Sequence, residues 1–279
     1  MSGDGVLDRA LALLGCFSDD EPELTASELA GRTGFASSTL HRLISVLLAQ
    51  GLLVRTHGHH YAVGSRLWEL GELSPLSLRL RERAIPHLMR LYAATGENVH
   101  LGVLDGEPET ATVLHVSRVT GQRSIPTVSR AGGRDPLHAT GVGKALLATR
   151  DDEWLRRYFS RGRERETTHT IIDEAELRED LLRTRTRGYA LTREEMTLGN
   201  ISVAAALPAI IGLPPVALGL VVHIDRADER MLGALVQGRV SLDGAATTAT
   251  ALALYIAITY AGQRRQFDSG TGSDEVVLL

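Results

Sequence analysis

The sequence holds very little cysteine, lysine or aromatic side chain. Cys16 is the one cysteine among 279 residues, which rules out an intramolecular disulfide and a zinc site built on paired cysteines. A chain without disulfides suits a reducing cytosol. Lys144 is the one lysine among 30 Lys and Arg, so nearly all the positive charge is guanidinium. Aromatics reach 4% against 43% hydrophobic residues overall, a composition that is neither disordered nor collagen-like. Net positive charge is missing as well. With 34 Asp and Glu the formal charge is −4, which excludes a protein that coats nucleic acid by bulk charge.

Targeting and membrane signals are sparse. The opening MSGDGVLDRA has no basic region ahead of an apolar core, so no signal peptide is expected. Two uncharged stretches are long enough to raise a membrane span. The stretch 197–223 contains Pro208, Gly212, Pro214 and Pro215 and reads as two buried strands, Ile201–Leu207 and Val216–Ile224, joined by a turn. Gly244–Gln263 carries four threonines and much alanine. It reads as a buried helix in preference to a span. A cytoplasmic protein without membrane contact is expected.

What is present is unevenly spread. From Leu29 to Trp68 there is no Asp or Glu, but there are Arg32, Arg42, Arg55 and Arg66 and four histidines, so this window has a formal charge of +4 with His neutral. Its periodicity is helical. Leu7, Ala10, Leu11 and Leu14 recur at helix spacing and predict one apolar face. Thr25-Ala26-Ser27-Glu28 has capping-box spacing and opens a short helix over Ala26–Thr33, stopped by Gly34. A second helix is predicted from an N-cap at Ser37 or Ser38 to about Gln50, burying Leu40, Leu43, Ile44, Leu47 and Leu48 and showing Ser38, His41, Arg42 and Ser45. Two helices joined by a short turn containing Gly make a helix-turn-helix. Strands at Leu52–Thr56 and Tyr61–Val63, turning at His57–His60, add a wing.

Beyond Ser74-Pro75 the pattern becomes mixed. A helix with Ile85, Leu88, Met89 and Tyr92 on one face ends at Gly96. Strands are predicted at Asn98–Leu104, Thr112–Ser117 and Ser124–Ser129. Helices are predicted at Gly143–Thr149, Asp151–Tyr158 and Asp173–Arg187. Strands then follow at Tyr189–Thr192, Ile201–Leu207 and Val216–Ile224, with a C-terminal helix to about Arg265. This order predicts an α/β domain around a mostly antiparallel sheet. The boundaries expected are 5–67 for the winged helix, 68–83 for a linker helix region, 84–265 for the second domain, and 266–279 for a disordered tail.

The second helix has the chemistry to read DNA. A helix fits the major groove, where Arg reads guanine and hydroxyls meet phosphate or base. The candidate contacts are Thr25, Ser37, Ser38, Thr39, His41, Arg42, Ser45 and Arg55. The alternative is a winged helix that contacts protein. His57, His59 and His60 raise a metal site, but three ligands within one turn rarely converge without a partner elsewhere, and a solvent-exposed wing is the simpler reading. Thr140-Gly141-Val142-Gly143-Lys144 looks like a P-loop and fails as one, since His138 stands at the first glycine and Ala145 after the lysine. Gly143 is expected to open a helix whose amides suit a carboxylate. Glu194 and Glu195, adjacent on a strand, would point apart and make a poor acid–base pair. No catalytic residue, metal or cofactor is assigned. An enzyme using a pocket in the second domain remains the less favoured alternative.

Four runs, Val6–Phe17, Leu24–Leu53, Pro136–Ala148 (PLHATGVGKALLA) and Gly188–Pro208 (GYALTREEMTLGNISVAAALP), together resemble the IclR family of bacterial transcriptional regulators, over residues 5 to about 262. The resemblance implies an α+β chain: an N-terminal winged helix-turn-helix and a C-terminal GAF/PAS-like effector-binding domain. It implies binding to double-stranded operator DNA as a homodimer or homotetramer, and control by a small-molecule effector, often an organic acid. Carried over by position, the effector contacts fall on Gly141, Val142, Thr192, Ser202, Gly219 and Val221. The family's acid is Thr192 here, its cysteine is Ser202, and its two small polar strand positions are Gly219 and Val221. These departures imply a more apolar pocket and an effector that is larger or more hydrophobic, such as an aromatic acid. A GAF-like sensor whose winged helix contacts protein is the rival reading.

Overall fold

The computed structural model describes residues 5–120 and 129–227, together with 241–242 and 245–246. Two compact units emerge, Met1–Ser77 and Leu78–Leu279.

In the first unit, helices α1 (Val6–Leu14), α2 (Ala26–Thr33) and α3 (Ser37–Ala49) pack with a three-stranded sheet. Its strands are β1 (Glu23–Thr25), β2 (Leu53–Arg55) and β3 (His60–Val63), in the antiparallel order β1-β3-β2. Helix α4 (Ser65–Glu72) follows. Leu13, Leu24, Leu29, Leu40, Leu43, Ile44, Leu47, Leu53 and Tyr61 form the core. The predicted capping box closes in both directions. Thr25 Oγ1 accepts from the Glu28 amide at 3.3 Å, and the Thr25 amide donates to Glu28 Oε2 at 2.7 Å. Gly34 takes the left-handed conformation, φ 67°, which a side chain would resist.

Three local expectations differ. Helix α3 is capped by Ala36 with no side-chain bond, not by Ser37 or Ser38, because the left-handed Gly34 reverses the chain early enough for Ser37 to be helical already. On α1 the buried residue is Leu13, while Leu7 and Leu11, expected to face the core, are exposed with Val6. The leucines of α1 form two strips, and the core takes the strip through Ala10, Leu13 and Leu14. The wing sheet also has a third strand, β1, which three residues were too few to announce.

The second unit is built on six strands: β4 (Asn98–Asp105), β5 (Thr112–Val119), β6 (Arg134–Asp135), β7 (Ala190–Arg193), β8 (Asn200–Ala206) and β9 (Val216–His223). The order is β6-β5-β4-β9-β8-β7, and every described pairing is antiparallel. Thus 197–223 forms two neighbouring strands. No helix among the described residues is long and apolar enough to cross a membrane. A π-helical segment, Leu76–Arg81, leads into α5 (Glu82–Thr95). The buried face of this region is Leu80, Ala84, Leu88 and Leu91, while Ile85 and Met89, expected inside, are exposed. Helices α6 (Gly141–Leu147), α7 (Asp152–Phe159) and α8 (Glu174–Arg187) are its other described α-helices. Asp151 and Asp173 cap α7 and α8 through the amides of Trp154 and Glu176.

Helix α6 is wholly buried and contacts β4, β7, β8 and β9. Beneath it, Val142, Ala145, Leu146, Leu147, Ala204 and Ala217 share one cluster with Leu155, Tyr158, Leu177 and Leu181. Val99, Leu101, Val103, Ile201, Val203, Leu218, Leu220 and Val222 are also buried and alternate onto the opposite face. Burial on both faces explains why β9 reads as an unbroken apolar run instead of alternating. The predicted strand at 124–129 lies outside the described residues apart from Ser129. So does the C-terminal helix, except that Ala245–Ala246 pair antiparallel with Ser241–Leu242.

Candidate functional site

The first unit presents one polar face. Leu40, Leu43, Ile44 and Leu47 turn α3 inward, and at 3.6 residues per turn this leaves Ser37, Ser38, His41, Arg42 and Ser45 exposed and Thr39 half-buried. Ser45 donates to the His41 carbonyl at 2.8 Å, within its own helix. Thr25 is engaged in the α2 cap. Arg55 lies over the Tyr61 ring, 5.6 Å from its centroid. The wing turn carries Gly58 and His59 at positive φ; His57 and His59 are exposed, and His60 Nδ1 meets the His57 carbonyl at 3.1 Å. No group of three His, Cys, Asp or Glu among the described residues is placed to hold a metal ion.

The structure thins the basic window. Arg32 pairs with Glu21 at 2.5 Å and Arg66 with Glu69 at 2.7 Å, so acids just outside the window neutralise two of its four arginines. Arg42 and Arg55 carry the remaining charge of the reading face.

The second unit opens a cavity, continuous with solvent, between α6 and the sheet. Helix α6 opens at Gly141, two residues before the expected start, because Thr140 is its cap and accepts from the Gly143 amide at 3.0 Å. Gly141 therefore sits in the first helical turn, pressed against Ser202, and an added Cβ would collide with that hydroxyl. Val142 seats its methyls over two strand glycines; a Cβ on Gly102 would lie 2.9 Å, and one on Gly219 2.8 Å, from a Val142 methyl. The glycines allow the helix to approach the sheet this closely.

Five of the six sequence-expected effector contacts line the cavity: Gly141, Val142, Thr192, Ser202 and Val221. Sheet register sets three of them in a row, with Thr192 opposite Ser202 and Ser202 opposite Val221. Gly219 is the exception. Val142 covers it, so it shapes the wall without lining the cavity.

Polar side chains that the sequence did not single out also line the cavity. Val142, Val221 and Met196 supply apolar walls, but Thr140, Thr197, Asn200 and Glu195 face it too, as do Ser129, His100 and His115 at the β4–β5 side. Counting four positions missed these groups: Thr140, Glu195, Thr197 and Asn200 are near neighbours in sequence of expected contacts, while His100, His115 and Ser129 come from distant parts of the chain. One signal was available: His100 interrupts the otherwise apolar run of β4.

Two buried polar networks shape the cavity. His115 Nε2 meets Asp135 Oδ2 at 2.8 Å, and Ser129 also donates to that oxygen. Burial pushes Asp135 up, but hydrogen bonds from His115 and Ser129 outweigh it and hold the carboxyl below its ordinary pKa. His100, edge-on to His115 at 5.6 Å, is driven down to about 3, first by burial and then by His115 and Arg118. It is therefore neutral at pH 7.

The second network explains the lone lysine. Lys144 is fully buried and donates to Asp180 at 2.9 Å and to Glu195 at 2.7 Å, joining α6, α8 and the loop after β7. Glu194 and Glu195 do not lie on a strand as expected. Strand β7 ends at Arg193, and Glu194 adopts φ 55°. Glu194 Oε1 then accepts from the Gly199 amide at 2.7 Å, while the hydroxyls of Thr167 and Thr170 hold the Glu194 and Glu195 carbonyls. These bonds fix the loop that walls one side of the cavity.

A winged helix with an exposed polar face, in one chain with a sheet domain that opens a ligand-sized cavity, is the build of a ligand-responsive DNA-binding regulator. The family described as "IclR helix-turn-helix domain" matches residues 6–57, and "Bacterial transcriptional regulator IclR C-terminal" matches residues 75–240. The chain belongs to the IclR family of bacterial transcriptional regulators. It is 38% identical over 214 residues to the HTH-type transcriptional regulator BhcR of Paracoccus denitrificans, covering 75% of this chain and 74% of the relative. It is 33% identical over 204 residues to the transcriptional repressor IclR of Escherichia coli, covering 72% and 73%. Among solved structures it is similar to an IclR homolog from Microbacterium hydrocarbonoxydans complexed with 4-hydroxybenzoate, with TM-score 0.80 and 26% identity over 92% of this chain and 100% of that one.

Proposed function

We propose that this regulator binds operator DNA through α3 and the wing, and that an aromatic organic acid in the α6 cavity controls it. The observation that carries the reading is the cavity, walled by Gly141, Val142, Thr192, Ser202 and Val221. The likeness to a homolog complexed with 4-hydroxybenzoate supports an aromatic acid. Among the described residues no Lys or Arg lines the cavity, so the carboxylate is held by neutral donors: the hydroxyls of Thr192 and Ser202 and the amide of Asn200. On the DNA side, Arg42 reads a base, Ser37, Ser38, Thr39, His41 and Ser45 flank it, Thr25 positions the turn, and Arg55 meets the backbone.

The ligand is sensed, not converted. Ser129 and His115 both bond Asp135, and Glu195 is committed to Lys144. The protein acts in the cytoplasm as a homodimer or homotetramer. Exposed apolar side chains on α1 (Val6, Leu7, Leu11) and on and after α4 (Trp68, Leu73) support a surface covered by a second copy. Effector binding shifts the population of domain arrangements and so the spacing of two reading heads.

A gel shift of the full chain on the DNA upstream of its own gene tests this reading. Affinity is expected to fall steeply between 50 and 200 mM salt, as for any protein that neutralises several phosphates, and to change when 4-hydroxybenzoate is added. DNA binding that ignores salt, or that no aromatic acid alters, would refute it.

A further inference from the structure

Among the described residues, three buried side-chain atoms without a hydrogen-bond partner belong to residues on this one cavity: His115 Nδ1, His100 Nε2 and Glu195 Oε2. A buried acceptor left unpaired is costly, and such atoms gather where a ligand completes them. Of the three, His115 Nδ1 has the best-defined role. Asp135, ionised and buried, accepts from Nε2. That places an imidazole proton on Nε2 and leaves Nδ1 as the ring nitrogen turned away from the carboxylate and without a partner. The ring cannot turn this arrangement around without losing the Asp135 bond, and Ser129 donates to the same carboxylate oxygen. His115 is 2% exposed and stands on β5, three strands from Ser202 on β8. At about 4.8 Å per strand their backbones are roughly 14 Å apart. The acid-binding hydroxyls of Thr192 and Ser202 and the His115 acceptor are therefore at opposite ends of the cavity.

We propose that His115 is the specificity-determining residue of the cavity: its Nδ1 accepts a hydrogen bond from a ring hydroxyl, so the effector is a hydroxylated aromatic acid and not the unsubstituted acid. The inference rests on the reading above that the cavity takes an aromatic acid. The hydroxyl supplies the donor that Nδ1 lacks, and the carboxylate lies at the far end, away from Asp135. An acid without the hydroxyl would leave the acceptor buried and unpaired, and a site built for a hydroxyl rejects such an analogue strongly.

Calorimetric titration of the full chain with benzoate, 3-hydroxybenzoate and 4-hydroxybenzoate tests the inference. At least one hydroxybenzoate is expected to bind about tenfold or more tightly than benzoate. His115→Phe should erase that preference by weakening the hydroxybenzoate to the level of benzoate, with benzoate itself little changed. Asp135→Asn, which releases the tautomer while keeping the shape, should reduce the preference in protein whose melting curve shows it folded. Equal affinities for benzoate and both hydroxybenzoates would overturn the role of His115 and leave the aromatic-acid reading standing. A preference that survives in His115→Phe would place the hydroxyl elsewhere and overturn it as well. Binding of none of the three acids would overturn both readings. Should His115→Phe not fold, folded Asp135→Asn decides the matter, and a preference left unchanged in it would overturn the role of His115.

Discussion

Replacing Lys144 with Met tests the internal logic of the second unit. Lys144 is fully buried, with Asp180 at 2.9 Å and Glu195 at 2.7 Å. Met has a similar volume and no charge, so the change leaves Glu195 buried without a cation beside Asp180, which keeps Arg183 at 3.6 Å and Arg187 at 3.9 Å. Removing one partner of a buried ion pair costs about 3–5 kcal/mol. For a unit of this size each kcal/mol lowers the melting temperature by roughly 2–4 °C, so the melt should fall by about 6–20 °C. The pH dependence follows from Glu195. Burial raises its carboxyl pKa above the ordinary value even while Lys144 pulls it down, and Asp180 adds to the rise. A raised folded-state pKa contributes stability that is full below the unfolded value and is lost as pH rises through the folded one. Without Lys144 the folded pKa climbs further, so the loss extends to higher pH. The deficit of the variant relative to wild type should therefore be smaller at pH 5 than at pH 8. Adding Glu195→Gln to Lys144→Met should recover part of the loss, because one uncompensated charge disappears. Circular-dichroism melts of the three proteins at both pH values measure this. A Lys144→Met protein melting within about 2 °C of wild type, or one worse off at pH 5, would refute the view that this triad holds α6 and α8 together.

Other outcomes follow from single sites. Arg42→Ala should weaken binding to the operator by about 1–3 kcal/mol while binding to unrelated DNA changes less; an equal loss on both would make Arg42 a phosphate contact. Gly219→Ala places a methyl 2.8 Å from a Val142 methyl and 3.3 Å from the Ala204 Cβ, so it should destabilise the chain by about 1–3 kcal/mol in urea titration through overpacking; an unchanged midpoint would mean Val142 does not sit against that strand. Thr25→Ala removes the hydroxyl of a closed capping box and should cost about 1 kcal/mol, with Thr25→Ser restoring it.

Much of the first unit was legible because its signals are local. A capping box, a left-handed glycine and the spacing of Leu40, Leu43, Ile44 and Leu47 each act within one or two turns of chain. The exposure of Ser38, His41 and Arg42 follows from that spacing. The misread face of α1 shows the limit. Leu7, Leu11, Leu13 and Leu14 are equally hydrophobic, and only the position of α2 and α3 decides which leucines are covered. Charge counting failed for the same reason, since Glu21 and Glu69 lie outside the window whose arginines they neutralise.

The sequence by itself determined the two-unit plan, the reading helix and wing, and five of the residues around the cavity, because periodicity, caps and matching runs are written along the chain. The tertiary structure alone decided the rest. It buried Lys144 between Asp180 and Glu195, 36 and 51 residues away in sequence, and it closed Val142 over Gly219. It also brought His115 to Asp135, so that one ring nitrogen meets the carboxylate and the other is buried without a partner among the described residues. Such contacts depend on which strands become neighbours in the sheet and how closely a helix lies on them. No local pattern fixes either, because the free energy that selects them is the burial of the whole core at once.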